Sequence, residues 1–228
     1  MKLNQEAWAI QYELDVHNEY PLEILAATLY GRIISTYQTT LMIAEKGMIS
    51  QSYTLIRCLL EPLFPLVALS KDPQFINLLI DSDEIKRKKN IERNIKYLER
   101  NKIQGNIEEL KKLMVELKEK IKRENLKEIK VYDCAVKADL EDIYNIYYSF
   151  TSMHLHVGMK SLEEGMALDF DNLSIEELKN EPELYGFETI YMILIECLLR
   201  AFKAICEIFE LDKALFIDGI NQELDKII

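Results

Sequence analysis

The chain has 228 residues, a formal net charge of -11 and 49% hydrophobic residues, with only 7 Gly and 5 Pro. That hydrophobic share supports a packed core and excludes disorder, while so few turn formers exclude a sandwich or barrel, whose many turns need Gly and Pro. The expected fold is all-α: an irregular helical bundle with a projecting antiparallel two-helix hairpin, residues 1–228 forming a single helical domain and 74–130 a charged arm within it.

The first helix is expected from about Asn4 to Asn18, stopped at Pro21, and the second from about Leu22 to Lys46, closed by Gly47. Glu13 and His17 share a face of the first helix and read as an ordinary surface pair. A third, strongly apolar helix runs from about Ile49 toward Ser70. Pro62 and Pro65 remove the donors that the carbonyls of Cys58 and Glu61 would use, so a kink or stop is expected there.

Asp72-Pro73 opens the next helix, which continues into the arm. Residues 86–130 hold 16 Lys and Arg against 8 Glu, a balance of +8, which leaves 12 basic and 31 acidic residues, or -19, elsewhere. Within the arm, Ile103, Ile107, Leu110, Met114, Leu117 and Ile121 recur at alternating spacings of four and three, and Ile91, Ile95 and Leu98 make a shorter seam. Two antiparallel helices joined near Gly105 follow from that pattern. The charges read either as the solvated dress of an exposed hairpin or as a nucleic-acid contact through Lys86, Arg87, Lys88 and Lys89. The acidic remainder opposes the second reading, and the seam can also support a homo-oligomer.

A helix from Asp139 to about Val157 follows, with Gly158 and Gly165 bracketing a short connection. The stretch ALDFDNLSIEELKNEP is expected to be a loop with one capping turn, Ser174 and Glu177 forming a capping box. A last long helix from about Leu184 to Leu211 places Ile190, Ile193, Leu194, Cys197, Leu198, Ala201, Ile205 and Ile208 on one core face, and a short C-terminal helix can follow. Cys58, Cys134, Cys197 and Cys206 have no metal-finger or CxxC spacing and suggest a reducing cytoplasm. Acids near the N-terminus argue against a signal peptide, and Glu61, Glu196 and Arg200 interrupt the apolar runs that membrane insertion would need.

Two apolar helices carry polar side chains four residues apart. Arg57 and Glu61 stand among Leu55, Ile56, Leu59, Leu60 and Leu63, so their burial is expected, which would demand that they pair. Stepping by four from Tyr144 gives Tyr148, Ser152 and His156, one stripe on a helix face, with His154 as a second candidate histidine nearby. If the two helices meet, these residues line a polar pocket of Arg57, Glu61, Tyr148, Ser152, His154 and His156.

The segments LIRCLLE, ending at Glu61, and YSFTSMHLH, ending at His156, resemble a bacterial domain-of-unknown-function family of all-helical proteins with an L-x-R-x-x-x-E helix and a later Y-x-x-x-S-x-x-x-H helix. The resemblance spans about Met42 to Gly158, includes a charged helical segment between the motifs, and implies a shared fold and pocket. It implies no settled biochemical role.

Arg57 can hold a phosphate or carboxylate bidentately and His156 can move protons near neutrality, so these two are the candidate catalytic residues if the chain is an enzyme. The Arg-to-His spacing of HEPN-type helical ribonucleases is absent. His154 and His156 point about 200° apart on a helix, so no metal site is expected, and neither is a cofactor. Ser152 has no elbow or oxyanion hole to make it a nucleophile. The leading expectation is a cytoplasmic binding or regulatory module for a small anionic ligand or a protein partner, without membrane attachment. The alternatives are a toxin-like or antiviral-defence ribonuclease using His156 and Arg57, and a structural dimerising protein.

Overall fold

The computed structural model describes residues 2–103, 105–155, 166–169, 174–178 and 186–211. It is an all-α bundle organised around one central helix, α3 (Ile49–Lys71). Its residues are apolar on almost every side, and α2 (Pro21–Ala44), α6 (Val131–Lys137), α8 (Ser149–Leu155) and α9 (Phe187–Ile208) pack around it. By length and composition α3 could cross a membrane, but two-thirds of its most apolar stretch is already covered by its neighbours.

Pro21 starts α2, where its missing N–H costs nothing and its fixed φ suits the first turn. Ala26, Tyr30, Ile33, Tyr37, Thr40 and Ala44 then bury one stripe at spacings of three and four. Gly47, at φ 75°, turns the chain into α3. The first helix, α1 (Lys2–Glu13), is shorter than expected and buries Ala7 and Ile10. His17 therefore lies beyond its end and bonds Glu23 through both its backbone N–H and Nδ1, each at 2.9 Å, so the expected helical pairing of Glu13 with His17 is corrected.

Pro62 and Pro65 do not stop α3, which continues to Lys71. The missing donors act on a segment in which every residue from Pro62 to Leu69 is buried, and this packing outweighs the local loss. The helix ends where Asp72 adopts an extended conformation before Pro73, its N–H closing on Ala68 O at 2.9 Å.

In the arm, α4 (Phe75–Asn101) and α5 (Ile107–Glu124) run antiparallel, as cross-links from Glu99 to Lys111 at 2.8 Å and from Glu84 to Lys120 at 2.9 Å require. Ile91, Ile95 and Leu117 are buried between them, flanked by Ile107, Leu110, Leu113 and Met114, and this small core is separate from that of the bundle. Ser82, buried at the root of the arm, accepts the Ile129 N–H at 3.2 Å.

α6 has no counterpart among the expected helices. It has seven residues, buries Cys134 and Ala135, and is capped by Asp133, whose carboxylate accepts the Lys130 N–H at 2.7 Å. The tyrosine-bearing helix begins as a short turn, α7 (Glu141–Ile143), widens into a π-helical segment at Tyr144–Tyr148, and resumes as α8. Residues 166–169 and 174–178 correct the expected loop and capping turn. β1 (Met166–Asp169) and β2 (Ser174–Leu178) pair antiparallel, with Asp169 opposite Ser174 and a bulge at Ala167/Leu168, so Ser174 opens a strand rather than a helix.

In α9, every residue expected on the core face is buried except Ile208, which is half-buried. The expected C-terminal helix and the Gly158–Gly165 connection lie outside the described residues. Cys134, Cys197 and Cys206 are buried and Cys58 is half-buried, and no disulfide joins any of these four. Burial pushes the Cys134 thiol up to about 11 and raises that of Cys197 as well, so both remain protonated small hydrophobes.

Candidate functional site

The π-helical segment sets the geometry of the site. The hydroxyl side chains that follow the wide turn bond back to its carbonyls. Thr151 Oγ1 donates to Tyr147 O at 2.8 Å, Ser152 Oγ to Tyr148 O at 2.6 Å, and Ser149 Oγ to Tyr144 O at 3.3 Å.

The turn aims two adjacent tyrosines at different helices. Tyr148 faces α3, stacked on Tyr144 at 4.8 Å and 17°, with Phe64 beside both rings. Tyr147 faces α9 and donates to Glu196 at 3.1 Å, where Arg200 holds the same carboxylate at 2.7 Å. Burial, followed by the Glu196 charge, raises the Tyr147 hydroxyl above its ordinary range.

Arg57 reaches from α3 across this junction. Its Nη1 donates to Ser152 Oγ and its Nη2 to Tyr148 OH at 2.8 Å, with the guanidinium carbon 4.4 Å from the Tyr148 ring centroid. Tyr148 OH then donates to Glu61 Oε1 at 3.2 Å. Donor and acceptor roles close consistently: Ser152 accepts from Arg57 and donates to a carbonyl, and Tyr148 accepts from Arg57 and donates to a carboxylate. Burial, and then the Glu61 charge, pushes the Tyr148 hydroxyl up to about 12, so it stays a donor at any physiological pH.

The structure therefore joins Arg57, Glu61, Tyr148 and Ser152 in one hydrogen-bonded chain. It corrects the expected burial of the ion pair. Glu61 is 44% exposed and its carboxylate lies 3.6 Å from Arg57 Nε, whereas Arg57 is 19% exposed. Among the described residues Glu61 stays exposed while its neighbours Leu60 and Pro62 are buried, which explains how a carboxylate is tolerated in an apolar run. His156 and the side chain of His154 lie outside the described residues.

Five N–H groups belong to a guanidinium. Among the described residues, two of those of Arg57 are hydrogen-bonded, both to uncharged partners, and the carboxylate beside it is at ion-pair rather than hydrogen-bond distance. No cluster of metal-ligating side chains occurs among the described residues. Glu196 and Arg200 were not singled out as a site, although they carry the same signal, a charged pair four residues apart inside an apolar helix.

Some of the basic residues of the arm are paired with glutamates, while its balance stays at +8. Lys88 and Lys96 share Glu92 at 3.1 and 3.3 Å, Lys89 pairs with Glu128, and Lys111 and Lys120 bridge to α4.

Neither the curated proteins nor the solved structures include a match to this chain. The family model DUF5677, a family of unknown function, matches residues 23–173, a span that holds Arg57, Glu61, Tyr148 and Ser152 together with the whole arm. With about two-thirds of its length matched, the chain belongs to this family of unknown function.

Proposed function

We propose that this chain is a non-enzymatic binding or regulatory module that recognises a small anionic ligand at Arg57, and that it works in a reducing compartment such as the cytoplasm, where its four cysteines stay reduced. The observation that carries the reading is that neutral partners hold the guanidinium in place. Ser152 and Tyr148 fix its plane without consuming its charge, so a carboxylate or phosphate would meet a pre-oriented donor edge. Glu61 is the resident competitor, half in water and poorly placed on Nε. The ribonuclease alternative draws less support, because the acidic remainder of the chain, at -19, opposes the approach of phosphates to the +8 arm.

Calorimetric titration with inorganic phosphate and with acetate tests this. Binding should be saturable, should be lost in Arg57→Gln, and should weaken in Arg57→Lys, which keeps the charge but not the planar fork. Glu61→Gln should tighten it about threefold to fivefold, because a screened surface charge next to the anion is worth up to about 1 kcal/mol. Binding that survives Arg57→Gln would refute the site.

A further inference from the structure

A groove of about 670 Å³ lies away from Arg57, between the start of α4 and the α6–α7 segment. Its size falls within the range of small-molecule sites, roughly 300–1,000 Å³. Its floor and walls are Phe75, Leu78, Ile129, Tyr132 and Val136. Phe75 is buried, but Leu78, Tyr132 and Val136 remain 39%, 41% and 40% exposed, an apolar surface left open inside a concavity.

The charged groups at its edge are unbalanced. Lys137 is the one cation among the lining residues, and Asp72 holds it at 2.7 Å. Asp133 and Glu141 have no cationic partner among the lining groups. Among the described residues, Asp133 accepts the Lys130 backbone N–H at 2.7 Å and Glu141 the Tyr132 hydroxyl at 2.9 Å. The groove thus offers two exposed carboxylates beside an aromatic ring that Glu141 holds by its hydroxyl and that rests edge-on against Tyr144 at 5.1 Å. An apolar floor, a fixed aromatic wall and uncompensated negative charge at one rim complement one kind of small molecule, an apolar body bearing a single ammonium. An anion would meet net repulsion, and a neutral apolar compound would leave the carboxylates unanswered.

We propose that this groove is a binding site for small aryl- or alkyl-ammonium compounds, with Phe75, Leu78, Ile129 and Val136 taking the apolar body and Tyr132, Asp133 and Glu141 the cation. It is independent of the Arg57 site, which selects the opposite charge.

Three matched probes test it, phenethylammonium, 2-phenylethanol and 3-phenylpropionate, titrated into the full chain and followed by amide chemical shifts. Phenethylammonium should bind saturably, move resonances of α6 and the start of α4, and bind at least tenfold tighter than phenylpropionate. The pair Asp133→Asn and Glu141→Gln should bring ammonium and alcohol to within about twofold of each other. Asn at 133 can still accept the Lys130 N–H, so the cap of α6 survives. Val136→Lys, at an exposed position, places a cation in the groove and should reverse the preference toward phenylpropionate. A folded Val136→Lys chain with unchanged preference, equal affinity for the three probes, or shifts confined to other regions would each overturn the proposal. Arg57→Gln should leave ammonium binding unchanged, and its loss there would likewise overturn the independence of the two sites.

Discussion

Replacing Tyr148 by Phe isolates the hydroxyl that links Arg57 to Glu61. The ring stays, and with it the stack on Tyr144, the contact with Phe64 and the face presented to the guanidinium. Two hydrogen bonds go, one from Arg57 Nη2 at 2.8 Å and one to Glu61 at 3.2 Å. A bond to a charged group contributes about 1.5–3 kcal/mol, but Glu61 is half-exposed and water replaces its donor at little cost. Arg57 is mostly covered, so its lost acceptor dominates, and the expected destabilisation is about 1.5–2 kcal/mol. For a chain of this size each kcal/mol moves the melting midpoint by about 2–4 °C, so Tyr148→Phe should lower it by roughly 3–8 °C. Glu61→Ala removes only an exposed partner and should cost under about 1 kcal/mol. Differential scanning calorimetry of both variants decides the matter. A larger loss for Glu61→Ala than for Tyr148→Phe would mean that the ion pair, rather than the tyrosine, anchors Arg57. The hydroxyl also leaves an alkaline signature. With its proton held up to about 12 in the folded chain against an ordinary 10, Tyr148 contributes stability that is complete below pH 10 and lost as pH rises toward 12, and Tyr148→Phe should flatten that part of the profile.

Replacing residues 86–126 by a short Gly-Ser linker should leave a cooperatively melting helical body by circular dichroism, because the arm core of Ile91, Ile95 and Leu117 is separate from the main one. Loss of the cooperative transition would show that the body needs the arm. His17 should titrate above its ordinary 6.5 by NMR, raised first by the Glu23 hydrogen bond and then by the Asp15 charge, and Glu23→Gln should lower it. Glu23 is lowered below its ordinary 4.5 by the same contacts, led by the His17 backbone N–H. The stabilisation from this pair is therefore complete between pH 4.5 and 6.5, fades in acid as Glu23 protonates, and fades in base as His17 loses its proton. An ordinary His17 midpoint, unmoved by Glu23→Gln, would refute the contact.

Periodicity carried much of this fold. The stripe from Ile190 to Ile205 and the arm seam through Leu110 and Leu117 sit where spacing alone puts them, because long amphipathic helices have one way to bury a face. Pro62 and Pro65 misled for the converse reason, since a propensity argument cannot weigh a local defect against neighbours that cover eight consecutive residues. α6 escaped notice because seven residues hold too few turns to display a period. At the site, the polar spacings marked Arg57, Glu61, Tyr148 and Ser152, but not the unequal exposure of Arg57 and Glu61, which depends on where neighbouring helices end. The π-helical turn left no distinctive trace, because hydroxyls bond back to carbonyls in the regular helices α2 and α3 as they do here.

The guanidinium of Arg57 reports most directly on whether this chain receives an anion there. Its Nε–Hε resonance, assigned by its absence in Arg57→Gln, should shift saturably as inorganic phosphate is added, while the other arginine signals stay in place. The same titration in Glu61→Gln should saturate at lower phosphate. An Arg57 signal that does not move while arm arginines such as Arg87 and Arg93 shift would contradict the account and return the basic arm to first consideration.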